Sequence, residues 1–129
     1  MYSDLVYEHF AKPRNVGVIE NADGQARVES TVHNDLIELY IRVEGDRLAD
    51  IKYRVHGCAA AIASSSITSE LAMGKTLDDA AAITPEEVAE ALHGLPENKV
   101  QCSVLAPEAL RQAIQNYRER VSAAKANQQ

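Results

Sequence analysis

Alternation of apolar and polar side chains predicts two neighbouring β-strands in the first half of the chain. In residues 36–43 the apolar positions fall on one face of a strand, namely Ile37, Leu39, Ile41 and Val43. Residues 48–55 repeat the pattern with Ile51, Tyr53 and Val55. The turn-forming sequence Glu-Gly-Asp-Arg at 44–47 separates the two runs. We therefore predict an antiparallel hairpin, preceded by a shorter and more weakly alternating strand at residues 25–31.

Helical signals flank these strands. Ser3 is a suitable N-cap for a helix that ends near Phe10, before the breaker sequence Pro-Arg-Asn-Val-Gly at 13–17. Residues 59–73 are rich in Ala and Ser and stop at Gly74, a residue typical of the position after a helix. A further short helix is predicted at residues 77–82.

The C-terminal half begins with the clearest local signal, a capping box in which Thr84 is followed three residues later by Glu87. This helix should close at Gly94. A last helix should start near Ser103, with its apolar face formed by Leu110, Ile114, Tyr117 and Val121. It is expected to fray into a polar tail at residues 123–129.

These elements predict an α+β fold, a three-stranded antiparallel sheet packed against several α-helices on one face. A length of 129 residues with 46% hydrophobic residues suits one modest core. We expect a single domain at residues 1–122 followed by the tail at 123–129.

Charge and hydropathy argue against nucleic-acid-binding, membrane and secreted proteins. A net charge of −6 without a Lys/Arg cluster argues against a nucleic-acid partner. No apolar run approaches the ~20 residues of a membrane span, and residues 1–10 lack a secretory pattern. We therefore expect an unexported, cytoplasmic protein with no membrane partner, whose two cysteines stay reduced.

The register of the hairpin brings chemically active residues together. A slip by one residue would turn an apolar face away from the core, so Ile37 should pair with Val55 and Ile41 with Ile51. This register requires a three-residue loop at 45–47. Extended past the ladder, it sets Asn34 opposite Cys58. His33 and Asp35 then lie on either side of that position, at the same edge of the sheet.

Cys58 and Cys102 each lie immediately before a predicted helix. Unpaired N–H groups and the helix dipole favour a thiolate there. Two low-pKa sulfurs near His33 and Asp35 would form a site for a soft metal. A free cysteine is also commonly a small buried core residue, and the spacing alone leaves both interpretations open.

Three segments carry a family resemblance. They are Tyr2-Ser3 with Asn-Val-Gly at 15–17, Gly57-Cys58 followed by Ala-Ile-Ala-Ser-Ser-Ser at 61–66, and Cys-Ser-Val-Leu-Ala at 102–106. With them the chain resembles the IscU/NifU-type iron–sulfur cluster assembly scaffolds from Tyr2 to about Tyr117. The resemblance implies the same α+β fold, with the site at the sheet edge.

The resemblance also implies a ligand set. In the family, three cysteines and an aspartate hold a cluster or zinc. The position of the first cysteine corresponds to His33, the aspartate to Asp35, and the other two cysteines to Cys58 and Cys102. We expect His33 to be a ligand in place of the first thiolate, because imidazole is a good borderline ligand. The histidine that often precedes the third cysteine is Gln101 here.

The implied function is that of a scaffold without turnover chemistry. It would accept sulfur from a cysteine desulfurase, with Cys102 as the persulfide acceptor, hold a [2Fe–2S] cluster or iron, and pass the cluster to acceptor apo-proteins. Zinc would fit the same ligands. The family's Hsp70-type chaperone motif, Leu-Pro-Pro-Val-Lys, reads Leu-Pro-Glu-Asn-Lys at residues 95–99, which places doubt on that partner.

Two other functions stay open. A zinc-binding or regulatory relative could have lost assembly activity together with the first cysteine. A thiol enzyme could use Cys58 with His33 or His56 as base, although the sequence shows no oxyanion-hole motif. His56 is otherwise a packed ring or a reserve ligand. We expect His9 and His93 on helix surfaces, without a role.

Overall fold

The computed structural model describes residues 2–30 and 34–127, and it begins with a capped helix. Helix α1 spans Asp4–Ala11, and the Ser3 hydroxyl accepts a hydrogen bond of 3.2 Å from the Val6 amide. The same hydroxyl donates to the Leu92 carbonyl. The predicted N-cap is confirmed, and it also joins the N-terminus to a distant helix end.

Three antiparallel strands form one sheet in the order β1-β2-β3. They span Gly24–Ser30, Asp35–Glu44 and Arg47–His56. The structure pairs Ile37 with Val55, Leu39 with Tyr53 and Ile41 with Ile51. The predicted register is confirmed along the centre of the hairpin.

The predicted loop of this hairpin is wrong. Glu44 pairs with Arg47, so the loop has two residues rather than three. Gly45 and Asp46 both adopt positive φ, 54° and 69°, as a two-residue turn of the type I′ class requires. The register shifts by one residue between Arg42 and Val43, which pair with Asp50 and Leu48. Ala49, between these two partners, therefore forms a β-bulge.

The other helices follow β3 along the chain. Helices α2, α3 and α4 span Ala59–Ala72, Leu77–Ala81 and Pro85–Ala91. The Thr84 hydroxyl accepts from the Glu87 amide at 3.1 Å, which confirms the predicted cap. A 3₁₀ helix at Glu97–Ser103, absent from the predictions, precedes helix α5 at Leu105–Asn127. Helix α5 continues through residues 123–127, where we expected fraying.

The core lies between one face of the sheet and the helices. Helix α5 packs on β1 and β2, and α2 packs on β3. Each of the largest fully buried side chains is at most 2% exposed. On the sheet they are Ile37, Leu39, Ile41, Leu48, Ile51 and Tyr53, and on α5 they are Leu110 and Ile114. No described helix is both long and apolar enough to cross a membrane.

Helix α2 is buried along most of its length, which its small side chains permit. Ser64, Ser65 and Ser66 are at most 2% exposed. The Ser65 hydroxyl donates to the Ala61 carbonyl at 2.8 Å, a local bond that satisfies a buried hydroxyl. Such side chains let neighbouring elements approach the α2 backbone closely. The N-terminus of α2 follows the end of β3 after only Gly57 and Cys58.

His9 does not lie on a helix surface, contrary to expectation. It is 3% exposed, and its Nδ1 is 2.7 Å from the Ser66 hydroxyl across the α1–α2 contact. Burial and then the Arg14 charge lower the pKa of His9. Sequence gave no sign of this partner, because Ser66 is 57 residues away. His93 is exposed as expected, but it lies in the turn after the helix Pro85–Ala91 and not on a helix surface.

Candidate metal centre

Asp35 is the first residue of β2. It pairs with Ser30 of β1, and it lies on the same side of the strand as the core residue Ile37. The residue is only 5% exposed. A buried carboxylate requires a polar or charged partner.

Cys58 is the N-cap residue of α2. Its backbone is extended, with φ −73° and ψ 171°, and its side chain makes no capping hydrogen bond. The thiol is therefore free of the helix end and half-buried. The sequence-based position before a helix is confirmed for this cysteine.

Cys102 occupies a different local environment from the predicted one. It lies inside the 3₁₀ helix, ahead of α5, and is 4% exposed. It packs in a small cluster with Ala60, Ala61 and Leu95. The 3₁₀ helix separates its thiol from the free N–H groups at the start of α5. The helix-start argument therefore does not apply to Cys102.

The three side chains converge. The two Sγ atoms are 3.5 Å apart, although 44 residues separate the cysteines along the chain. One ligand atom from each of Asp35, Cys58 and Cys102 lies within 4.8 Å of the others. Three of the four residues singled out in the sequence are therefore brought together. His33, the fourth, lies outside the described residues.

The surroundings of Cys102 oppose formation of its thiolate when no cation is bound. Burial raises the pKa of the Cys102 thiol to about 12, and the Cys58 thiol and the Asp35 charge add to the effect. The predicted low pKa is wrong for Cys102, because the thiol is buried among groups of like charge. A bound cation would reverse this balance, since a coordinating thiol is deprotonated. Two sulfurs and one carboxylate suit zinc or iron.

Gly57 is a contributor that sequence reasoning missed. A Cβ atom at this position would be 2.9 Å from Asp35 Cγ and 3.1 Å from Ala61 Cβ, and still closer to the Asp35 carboxylate oxygen. Only a residue without a side chain leaves this carboxylate its place beside the thiols. The signal in the sequence was a glycine between the end of a strand and a candidate ligand.

His56 is placed apart from the thiols. It pairs with Leu36 at the end of β3 and is exposed. His56 and Asp35 both line a cavity of about 220 Å³, and Glu29, Ser30, Asn34 and Leu36 complete the lining. Among the described residues, the compact cluster of candidate ligands contains Asp35 and the two cysteines, and His56 is not a member.

Residues 95–99 lead directly into the segment that carries Cys102. Leu95 packs against Cys102 and the start of α2, whereas Glu97, the first residue of the 3₁₀ helix, is exposed. The altered motif is thus continuous with the site. The substituted negative charge faces solvent.

Comparison with known proteins shows the same architecture and sequence pattern elsewhere. The model of the "NifU-like N terminal domain" family matches residues 1–124. The iron-sulfur cluster assembly scaffold protein IscU 1 of Archaeoglobus fulgidus is 55% identical over 117 residues, covering 91% of this chain and 76% of that protein. IscU of Escherichia coli K12 is 39% identical over 123 residues, covering 92% and 95%.

Solved structures agree with this assignment. A Fervidobacterium islandicum protein, described as an iron-sulfur cluster assembly scaffold for the SUF system, superposes with a TM-score of 0.72 at 25% identity, covering 88% of this chain and 96% of that chain. The N-terminal part of a NifU-like protein from Brucella abortus shares the fold, with a TM-score of 0.73 at 20% identity, covering 91% and 94%. This chain, which is also similar to the IscU scaffolds, therefore belongs to the family of NifU-like N-terminal domains.

Proposed function

We propose that this protein is a scaffold for iron–sulfur cluster assembly. It receives sulfur from a cysteine desulfurase together with iron, holds a nascent [2Fe–2S] cluster as its cargo, and passes the cluster to acceptor apo-proteins. The observation that carries this function is the convergence of Asp35, Cys58 and Cys102 within 4.8 Å. The similarity to proteins named as scaffolds supports it. The fold unit that does this is residues 1–122.

The proposed ligands differ in how far they are exposed to solvent. Cys102 supplies a buried sulfur, and Cys58 supplies a half-exposed one. Asp35 contributes a harder oxygen, and His33 is proposed as the fourth ligand. Cys102 is also the proposed final holder of the persulfide sulfur. A site that is buried on one side and open on the other can hold cargo and still release it.

The role of each cysteine is tested by single Cys→Ser variants. Cys58→Ser and Cys102→Ser should each lose most of the bound iron or zinc, because each removes a thiolate ligand. Circular dichroism should show both variants folded, since the sheet and core helices do not depend on the thiols. The measurements are metal analysis and an anaerobic visible spectrum of freshly isolated protein. Ala59→Ser is the matched control, which adds the same hydroxyl without removing a sulfur. Full metal content in both cysteine variants would refute the site.

A second candidate is a zinc-binding relative without assembly activity. The observation that favours it is the donor set, which has two thiols and a carboxylate among the described residues. Zinc is bound tetrahedrally by such mixed ligands. The spectrum separates the candidates, because a cluster absorbs visible light and zinc does not. A colourless protein that holds zinc, and forms no cluster with desulfurase, cysteine and iron, would favour the second candidate.

A further inference from the structure

The two thiols of the site differ in their access to solvent although they nearly touch. Cys58 is half-buried at the surface end of α2, and Cys102 is 4% exposed. Their Sγ atoms are 3.5 Å apart. A sulfur donor that approaches from solvent therefore reaches Cys58 Sγ more easily than Cys102 Sγ.

Cys102 is covered by its own neighbours. Ala60 and Ala61, at 0% and 1% exposure, pack against it from the first turn of α2, and Leu95 closes the cluster. A persulfide carried by another protein would have to displace these groups to reach Cys102 Sγ. The side chain of Cys58 makes no capping bond that would have to be broken first.

We propose that sulfur arrives on Cys58 and moves from there to Cys102. The proposal deepens the proposed function, on which it rests, by naming the residue that the donor meets first. Cys58 is then a catalytic residue of sulfur transfer as well as a metal ligand. Cys102 is the residue on which the sulfur is retained for cluster formation.

Each step of this relay exchanges one thiolate for another. The Cys58 thiolate attacks the outer sulfur of the donor persulfide, the donor's S–S bond breaks, and the donor leaves as a thiolate with the electron pair. Cys102 then attacks the outer sulfur now bonded to Cys58. The bond between that sulfur and Cys58 Sγ breaks, its electron pair stays on Cys58, and Cys58 takes up the proton that Cys102 loses. No external oxidant or reductant is consumed.

The second step needs more separation than the resting distance between the thiols. A persulfide S–S bond is about 2 Å long. Attack on the outer sulfur runs nearly in line with the bond that breaks, with the reacting atoms about 3–3.5 Å apart, so the two Sγ atoms must stand roughly 5–5.5 Å apart at that moment. They are 3.5 Å apart at rest. Rotation of the Cys58 side chain, which is half-buried and makes no capping bond, provides the added separation.

The test follows both cysteines over time in metal-free, reduced, full-length protein. A cysteine desulfurase and L-cysteine supply sulfur under anaerobic conditions, samples are quenched with an alkylating reagent, and peptide mass spectrometry locates the extra sulfur. The wild type should show sulfur first on Cys58 and later on Cys102. Cys102→Ser should accumulate it on Cys58. Cys58→Ser should load Cys102 at least about tenfold more slowly.

Controls keep the outcome interpretable. Ala59→Ser should load like the wild type, and Cys58→Ala serves if the serine variant is unstable. Loading of Cys102 at the wild-type rate in both Cys58 variants would overturn the relay, as would sulfur that stays on Cys58 in the wild type. Absence of sulfur from both cysteines would overturn the relay and sulfur acceptance together. The metal-binding part of the proposed function is measured separately and would be untouched.

Discussion

Replacing Gly57 by alanine tests how the carboxylate of the site is held. The new Cβ would lie 2.9 Å from Asp35 Cγ and 3.1 Å from Ala61 Cβ. Carbon atoms pack at about 3.5–4.0 Å, so the carboxylate must move by roughly 0.5–1 Å. Because Asp35 is 5% exposed, the space for such a movement is small. We expect the carboxylate to leave its place beside the thiols.

The expected loss concerns metal affinity more than folding. Disturbing a group that orients a metal ligand typically costs about 10–100-fold in affinity. Overpacking destabilises by about 1–3 kcal/mol, and replacing glycine by alanine returns about 0.4–1 kcal/mol through the unfolded chain. Gly57→Ala should therefore fold, with zinc affinity lower by one to two powers of ten. Competition with a chromophoric chelator measures the affinity, and urea unfolding measures the stability of the metal-free protein.

A double-mutant cycle identifies the carboxylate as the cause. In an Asp35→Ala background the added methyl group meets no carboxylate, so Gly57→Ala should change the remaining affinity by less than about twofold. Combining Gly57→Ala with Ala61→Gly relieves the other close contact and should not restore affinity. The reasoning is refuted if Gly57→Ala binds zinc like the wild type. It is also refuted if its loss is equally large without the carboxylate.

Three further predictions concern the N-terminal helix and His33, the proposed fourth ligand. Ser3→Ala should lower the free energy of unfolding by about 1–2 kcal/mol, because the Val6 amide and a distant carbonyl lose their partner; Ser122→Ala, an exposed site on α5, is the control. The lowered pKa of His9 means that its contribution to stability is present above the ordinary value of 6.5 and is lost as pH falls below it. Urea midpoints measured between about pH 8 and about pH 5.5 should fall less steeply in His9→Asn, and an equal slope would contradict this. His33→Ala should weaken metal binding, and His33→Cys should retain more iron–sulfur cluster than the wild type under anaerobic conditions; unchanged metal content and spectra in both would show that His33 is not a ligand.

The hairpin shows how far sequence reasoning reaches. Alternation of Ile37, Leu39 and Ile41 fixed which residues face the core, and the observed pairs with β3 follow from it. The register by itself predicts that Asp35 lies near Cys58. The loop was mispredicted because a bulge at Ala49 changes the residue count without altering the central pairs. Alternation cannot reveal such a local insertion.

Cys102 and His9 show where sequence reasoning stops. The proximity of Cys102 to Cys58 depends on how the 3₁₀ helix packs against α2, a tertiary contact between segments 44 residues apart. Burial raises the pKa of Cys102, whereas its position before a predicted helix had indicated a lowered pKa. His9 was missed for the same reason, because its partner Ser66 lies on another helix. Neither contact leaves a periodic pattern in the sequence.

The three converging side chains come from three separate elements of the fold, and this affects the lifetime of the protein. Asp35 begins a strand, Cys58 begins a helix, and Cys102 belongs to a separate 3₁₀ turn. An ion or cluster held by all three acts as a cross-link between distant parts of the chain, and it stabilises the folded form in proportion to the logarithm of ligand concentration over its dissociation constant. The loaded protein should therefore resist proteases longer than the empty one. Turnover in the cell would then remove scaffolds that carry no cargo.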